Sequence, residues 1–71
     1  SERHVLVLRS TTNLRISDLM EELQRITTVP TYQQRLYFRG LELHLMKDRT
    51  LRELGLDNNA QVRLIGEPTQ T

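Results

Sequence analysis

A proline at position 30 is the feature that most restricts how this chain folds, because it ends a helix and opens a new segment. Proline has no amide hydrogen to donate, and it pushes the preceding residue, Val29, out of the helical region. Leu36-Tyr37-Phe38 then brings the apolar and aromatic residues that favour a strand. Gly40 permits the positive φ of a tight turn. The order helix end, turn, strand and second turn is therefore predicted around this proline.

An amphipathic helix is predicted before the proline. Its apolar residues recur at i, i+3, i+4, i+7 and i+10, which is the spacing of one helical face. They are Ile16, Leu19, Met20, Leu23 and Ile26. Asp18 falls in the first turn, where the helix dipole favours negative charge. Asn13 and Ser17 are both candidates for the N-cap, and the sequence leaves that choice open.

Three other segments are predicted to be strands. His4–Arg9 has apolar residues on both faces, which favours a central or covered place in a sheet. Leu41–Leu45 alternates as the return strand of a hairpin, and Gln61–Ile65 alternates into a last strand that ends at Gly66. Thr50–Gly55 is expected to form one short helical turn closed by its glycine.

This order of elements predicts an α+β roll, with one main helix packed on a mixed sheet. Because 71 residues make only one small domain, the core is marginal and every large apolar residue counts. Residues 1–66 are expected to form the domain, and the polar, proline-containing residues 67–71 a flexible tail. The residues expected to be buried together under the helix are Leu23, Leu36, Leu43, Leu51, Leu56, Val62 and Leu64.

Composition argues against catalytic, cofactor, metal and membrane functions. The chain has no cysteine, and its two histidines, His4 and His44, stand far apart, so we expect no metal site and no cofactor. The glycines are isolated, and no serine stands in a nucleophile-elbow pattern, so we expect no enzymatic activity. No apolar run approaches the roughly 20 residues of a membrane helix. A net charge of +1 creates no strong field toward nucleic acid or membrane.

The stretch that follows the proline resembles ubiquitin. The residues shared at the same spacing are Pro30, Gln33, Gln34, Arg35, Leu36, Phe38 and Gly40. The agreement continues through Asp48-Arg49-Thr50-Leu51 to Leu54 and Leu56. The resemblance covers roughly residues 4–66. It implies a ubiquitin-like domain with the β-grasp fold that acts as a monomeric, non-catalytic protein-interaction module.

The resemblance leaves the first hairpin of that fold incomplete. Counting back from Pro30 places His4–Arg9 on the family's second strand, so the central first strand has no counterpart. Either the chain begins after that strand, or His4–Arg9 fills the central position itself and the second strand is deleted. Its two apolar faces favour the second alternative. Residues 10–15 must then span about 20 Å to reach the helix, which about 3.3 Å per residue just allows.

The resemblance also implies a recognition site, an apolar patch with a basic rim on the open face of the sheet. The residues that match it are Tyr37, Ile65, Arg35, Arg39, Gly40 and Arg63. Tyr37 faces outward if Leu36 faces the core, because neighbouring residues of a strand alternate. The same alternation turns Arg63 outward beside a buried Leu64. Ile65, at the end of its strand, is expected to need a twist or a bulge to join them. An exposed tyrosine rimmed by arginines is typical of an interaction hot spot.

The departures from ubiquitin indicate an integral domain rather than a conjugated modifier. Residues 64–71 contain no Gly-Gly, and Pro68 stiffens the tail where a conjugating enzyme needs a slim, extended backbone. The ending Val62–Gly66 is similar to the ubiquitin-like domains of Bag-type cochaperones. Those domains dock a host protein onto proteasome receptors or ubiquitin-binding helices. We therefore expect protein partners of the ubiquitin pathway and an intracellular location, cytoplasmic or nuclear.

Two other functions remain open from the sequence. Nine of the ten basic residues are arginine, and Tyr32, Tyr37 and Phe38 are available for stacking, so a nucleic-acid-binding module is one alternative. Nine acidic residues offset this charge and count against that alternative. Codon or lineage bias explains the arginine preference equally well. A conjugated modifier is the other alternative, and the tail argues against it.

Overall fold

The structure is a computed structural model that describes residues 2–7, 14–57 and 59–69. It contains one helix and one four-stranded sheet, with strand order β1-β4-β2-β3. Every strand pair is antiparallel, so the expectation of a mixed sheet is wrong. The α+β class and the single helix on an open sheet are confirmed. The elements are β1 (Glu2–Val7), α1 (Ile16–Thr27), a 3₁₀ turn (Thr31–Gln33), β2 (Arg35–Phe38), β3 (Leu41–Glu42), a second 3₁₀ turn (Leu43–Leu45) and β4 (Gln61–Gly66).

The core under α1 is the one that the apolar pattern predicts. All seven expected residues are buried, each with 4% or less of its surface exposed. The prediction that Ile26 belongs to the buried helical stripe is wrong, since Ile26 is 58% exposed. Ile26 lies in the last turn of α1, at the edge of the stripe. Val29, which follows the end of the helix, is fully buried in the core.

Main-chain groups, rather than a side-chain cap, secure the start of α1. The N–H groups of Ile16 and Ser17 donate to the carbonyls of Arg49 and Lys47, at 2.9 and 3.1 Å. The N-cap residue is Arg15, and its own N–H donates to the Asp18 carboxylate at 3.0 Å. Ser17 is therefore not the cap, and Asn13 lies outside the described residues.

The end of α1 is tied to β2 by one buried amide. Gln34 is 3% exposed, and its side-chain amide donates to the carbonyls of Met20 and Val29, at 2.8 and 3.0 Å. Thr28 ends the helix in the left-handed region, at φ 63°. Thr69 donates to the Thr28 carbonyl from both its N–H and its hydroxyl, at 2.9 Å each. The chain beyond residue 66 therefore lies against the end of the helix as far as Thr69.

Strand β1 is an exposed edge strand, and the expectation of a central or covered strand is wrong. It pairs directly with β4, from Glu2 opposite Gly66 to Val7 opposite Gln61. It therefore takes the place beside the last strand, but no other described strand pairs with its outer edge. Val5 is 65% exposed and Val7 43% exposed, because no described element covers that face. Leu8 and Arg9, the rest of the expected strand, lie outside the described residues.

The return strand after the hairpin turn is shorter than its alternation predicts. Strand pairing ends at Glu42, and Leu43–Leu45 forms a 3₁₀ turn. This turn buries Leu43 completely and leaves Leu45 70% exposed. Strict alternation would instead have turned both leucines to the same face.

Two later glycines, Gly55 and Gly66, lie where a side chain would be strained or would overlap a neighbour. The expected helical turn at 50–55 is a hydrogen-bonded turn without a helix, with Thr50 and Glu53 bonded to each other through main-chain N–H and side-chain groups. Gly55 ends that turn at φ 80°. Gly66 is buried in β4, and a Cβ there would lie 2.5 Å from Val29 Cγ1 and 3.0 Å from the Gln33 carbonyl oxygen.

Candidate functional site

The two faces of strands β2 and β4 differ completely in chemistry. The inner face carries Leu36, Phe38, Val62 and Leu64, all buried against the helix. The outer face carries Arg35, Tyr37, Arg63 and Ile65, which are exposed or half-buried. Since successive residues of a strand point to opposite sides, one alternating pattern produces both faces.

Four of the expected site residues meet on the outer face. Arg35 is paired with Ile65, and Tyr37 with Arg63, across β2 and β4. Directly paired residues of this kind have Cβ atoms about 4.5–5.5 Å apart. Ile65 joins the group by simple alternation from Arg63, so the expected bulge or twist is not needed.

The other two expected site residues, Arg39 and Gly40, lie at the end of the sheet. They form the two-residue turn between β2 and β3, with φ of 50° and 82°, and positive φ at both positions is typical of a hairpin turn. The Arg39 guanidinium stands 5.1 Å from the centre of the Phe38 ring. Because Phe38 belongs to the inner face, Arg39 borders the outer face rather than occupying its centre.

Strand β1 extends the outer face with residues that sequence reasoning did not assign to the site. Arg3 is paired with Ile65, and Val5 with Arg63. The apolar residues on both faces of β1 were visible in the sequence, but only the register places Arg3 and Val5 beside the expected site. We call the resulting surface the sheet face. It consists of Arg3, Val5, Arg35, Tyr37, Arg63 and Ile65.

His44 is a second residue that the sequence did not bring to the site. Its ring packs edge-on against the Tyr37 ring, with centroids 5.5 Å apart and planes at 74°. Its Nδ1 accepts a hydrogen bond from the Leu36 N–H at 3.1 Å. The predicted strand from Leu41 to Leu45 did not indicate a contact between His44 and Tyr37. It exists because the chain leaves the sheet after Glu42.

An open groove of about 640 Å³ runs along one end of the sheet face. Tyr32, at the far side of this groove, is 78% exposed. The groove therefore has the apolar side chains of Tyr37 and Ile65 in the same lining as the polar residues Gln33 and Gln34. Its lining residues are Tyr32, Gln33, Gln34, Arg35, Tyr37, His44, Ile65, Gly66 and Glu67.

Two carboxyl groups away from the sheet face have lowered pKa values. The Arg25 guanidinium, hydrogen-bonded to Glu22 on α1, lowers the pKa of that carboxyl. The Thr50 main-chain N–H, followed by its hydroxyl, lowers the pKa of Glu53. Both contacts are local and stabilise a helix or a turn.

The described residues contain no group of three or more side chains that would hold a metal ion. Within the same residues, no helix is long and apolar enough to cross a membrane.

Comparison with known proteins identifies the family. The family model described as the ubiquitin family matches residues 3–69. Comparisons with curated proteins and with solved structures returned no match. The matched range includes every residue of the sheet face, and it confirms the resemblance found around Pro30.

Proposed function

Since the chain belongs to the ubiquitin family, we propose that this ubiquitin-like domain is a non-catalytic interaction module. It docks its host protein onto proteasome receptors or other ubiquitin-binding proteins through the sheet face. The proposal places the domain inside the cell, in the cytoplasm or the nucleus, where those receptors act. A chaperone-associated host of the Bag type is the kind of protein that its last strand suggests.

The observation that carries this proposal is the arrangement of the four central residues. Tyr37 and Ile65 lie on one diagonal of the β2–β4 pairing, and Arg35 and Arg63 lie on the other. Diagonal neighbours in a sheet are about 7–8 Å apart, so an apolar centre lies between two guanidinium groups. An amphipathic helix with acidic residues beside its apolar face matches this pattern.

The apolar part of the sheet face is small, so we expect a low affinity for the partner. The apolar centre consists of two half-buried side chains extended by the exposed Val5 on β1. Interfaces well below about 800 Å² per partner belong to weak, transient complexes. We expect a dissociation constant on the order of micromolar to sub-millimolar.

The test is an NMR titration of the ¹⁵N-labelled domain with a ubiquitin-binding helical peptide. Tyr37→Ala should weaken binding by more than about 1 kcal/mol, because it removes the central apolar contact. Its melting temperature should stay close to that of the parent. Ile26→Ala is the matched control, since Ile26 is an exposed apolar residue on α1 and should leave the affinity unchanged.

The distribution of shift changes decides between the sheet face and other sites. Changes confined to α1 around Asp18, Glu21 and Glu22, with Tyr37 and Arg63 silent, would contradict the proposal. Changes around the arginines on adding an oligonucleotide, with none on adding the peptide, would instead support a nucleic-acid-binding module.

We also propose that the domain is not conjugated to other proteins. The residues directly after β4 are Glu67-Pro68-Thr69 rather than a Gly-Gly pair. The two hydrogen bonds from Thr69 to Thr28 hold this segment against the helix end. Incubation with ubiquitin-activating enzyme and ATP should give no thioester, with ubiquitin as the positive control. A reproducible adduct that a thiol reagent removes would refute this part of the proposal.

A further inference from the structure

His44 completes the edge of β2 where β3 ends. Strand pairing stops at Tyr37 with Glu42, so Leu36 has no described strand partner on that side. The His44 Nδ1 atom takes this place, 3.1 Å from the Leu36 nitrogen and 3.3 Å from the Leu36 carbonyl oxygen. A ring nitrogen that accepts from an N–H carries a lone pair. The Leu36 N–H can donate only to an unprotonated Nδ1, and in that tautomer the ring bears its proton on Nε2.

The other ring nitrogen is available for a partner. The ring is half-buried and lines the groove together with Arg35 and Tyr37. Among the described residues, no acceptor is bonded to the His44 Nε2 atom. Nε2 is also absent from the buried polar atoms that lack a partner, which are His4 Nε2 and Gln34 Oε1. Tyr37 further restricts the ring by its edge-on contact. In this tautomer the Nε2–H is a donor in the groove that the Arg35 side chain also lines.

We propose that His44 and Arg35 together bind one carboxylate of the partner helix, in the groove beside Tyr37. This inference rests on the proposed function, and it assigns His44 a role as a binding residue and as a positioning residue for Tyr37.

The spacing of a helix suits this arrangement. Residues three or four positions apart on a helix are neighbours, with Cβ atoms about 5–6 Å apart. A partner helix whose apolar side chain contacts Tyr37 and Ile65 therefore places an Asp or Glu one turn away within reach of the groove. The partner chemistry is an apolar residue followed one turn later by an acidic residue.

A double-mutant cycle tests the carboxylate contact. The probe is the same ubiquitin-binding helical peptide, in its original form with glutamate one turn from the apolar anchor and in a form with glutamine there. His44→Phe retains a ring against Tyr37 but removes both nitrogens. It should weaken binding of the glutamate peptide by about fivefold and of the glutamine peptide by less than about twofold, because only the former has a charged acceptor.

Two further variants separate this role from a purely structural one. His44→Gln offers both an acceptor for Leu36 and a donor for the carboxylate, and it should restore part of the difference between the peptides. Arg52→Gln removes an exposed cation outside the groove and should leave that difference unchanged. Equal losses for both peptides in His44→Phe and His44→Gln would overturn the inference.

A measurement on the free domain checks the basis of the argument independently of any partner. The ¹⁵N shifts of the His44 ring, recorded where the ring is neutral, should show an unprotonated Nδ1 and a protonated Nε2. A proton on Nδ1 would overturn the inference while leaving the proposed function intact. Absence of peptide binding by the unaltered domain would overturn both, and unaltered binding with insensitive His44 variants would overturn only the role of His44.

Discussion

The inner and outer faces of β2 and β4 come from adjacent residues, yet they differ in burial and chemistry. Leu64 is fully buried and its neighbour Ile65 is half-buried on the opposite side. Leu36 and Tyr37 repeat this contrast on β2. Burying a large aliphatic side chain contributes about 1.5–3 kcal/mol, which is a large share of the stability of so small a domain. The inner face therefore maintains the fold, and the outer face contributes little to its stability.

The largest expected effect compares Leu64 with Ile65. Leu64→Ala should cost about 2–5 kcal/mol in the free energy of unfolding, because it leaves a cavity in the core. Ile65→Ala should cost less than about 1 kcal/mol, since its side chain is only half-buried and lies on the face opposite the core. Chemical denaturation of the two variants measures both. Similar losses would show that the two faces do not divide stability from recognition.

The next effect concerns Gly66, which lies on the inner side of β4. Gly66→Ala should cost about 1–3 kcal/mol, because the added Cβ would lie only 2.5 Å from Val29 Cγ1. Adding Val29→Ala to Gly66→Ala should cost less than the sum of the two single changes, since it removes the overlapping atom. Strict additivity of the unfolding free energies would contradict this close approach.

The smallest effect concerns the charge of the outer face. Arg63→Glu should weaken peptide binding several-fold at low salt and much less at high salt, because exposed charges are screened beyond about 10 Å at about 0.1 M ionic strength. Its unfolding free energy should change by less than about 0.5 kcal/mol. Calorimetric titrations at several salt concentrations measure the effect, with Arg52→Gln as the control. A loss of affinity independent of salt would assign Arg63 a role in packing rather than in charge complementarity.

Helix α1 and the core illustrate what local pattern predicts well. The helical spacing from Ile16 to Leu23, interrupted by no proline or glycine, determines one face whatever lies beneath it. Three of the seven core residues, Leu36, Val62 and Leu64, follow from the alternation of β2 and β4. Pro30 marks the end of the helix for the same local reason, since it lacks an amide hydrogen.

The placement of the expected site residues was predicted in part. Alternation alone turned Tyr37 and Arg63 outward, and it also places Ile65 there without the bulge that we expected. Arg39 illustrates a limit of this reasoning, because it lies in the hairpin turn at the end of the sheet, with its guanidinium near the Phe38 ring. Val5 joins the sheet face only through its pairing with Arg63, a partner almost sixty positions away along the chain.

The sequence by itself determined the class of fold, the helix, the inner core and the outward direction of Tyr37, because each depends on spacing between near neighbours. Only the tertiary structure decided that β1 is an exposed antiparallel edge strand, since the burial of a strand depends on what lies beside it. It also decided that β3 ends after two residues. The His44 ring there accepts the Leu36 N–H that a strand residue would otherwise have paired, and no local pattern encodes that exchange of partners.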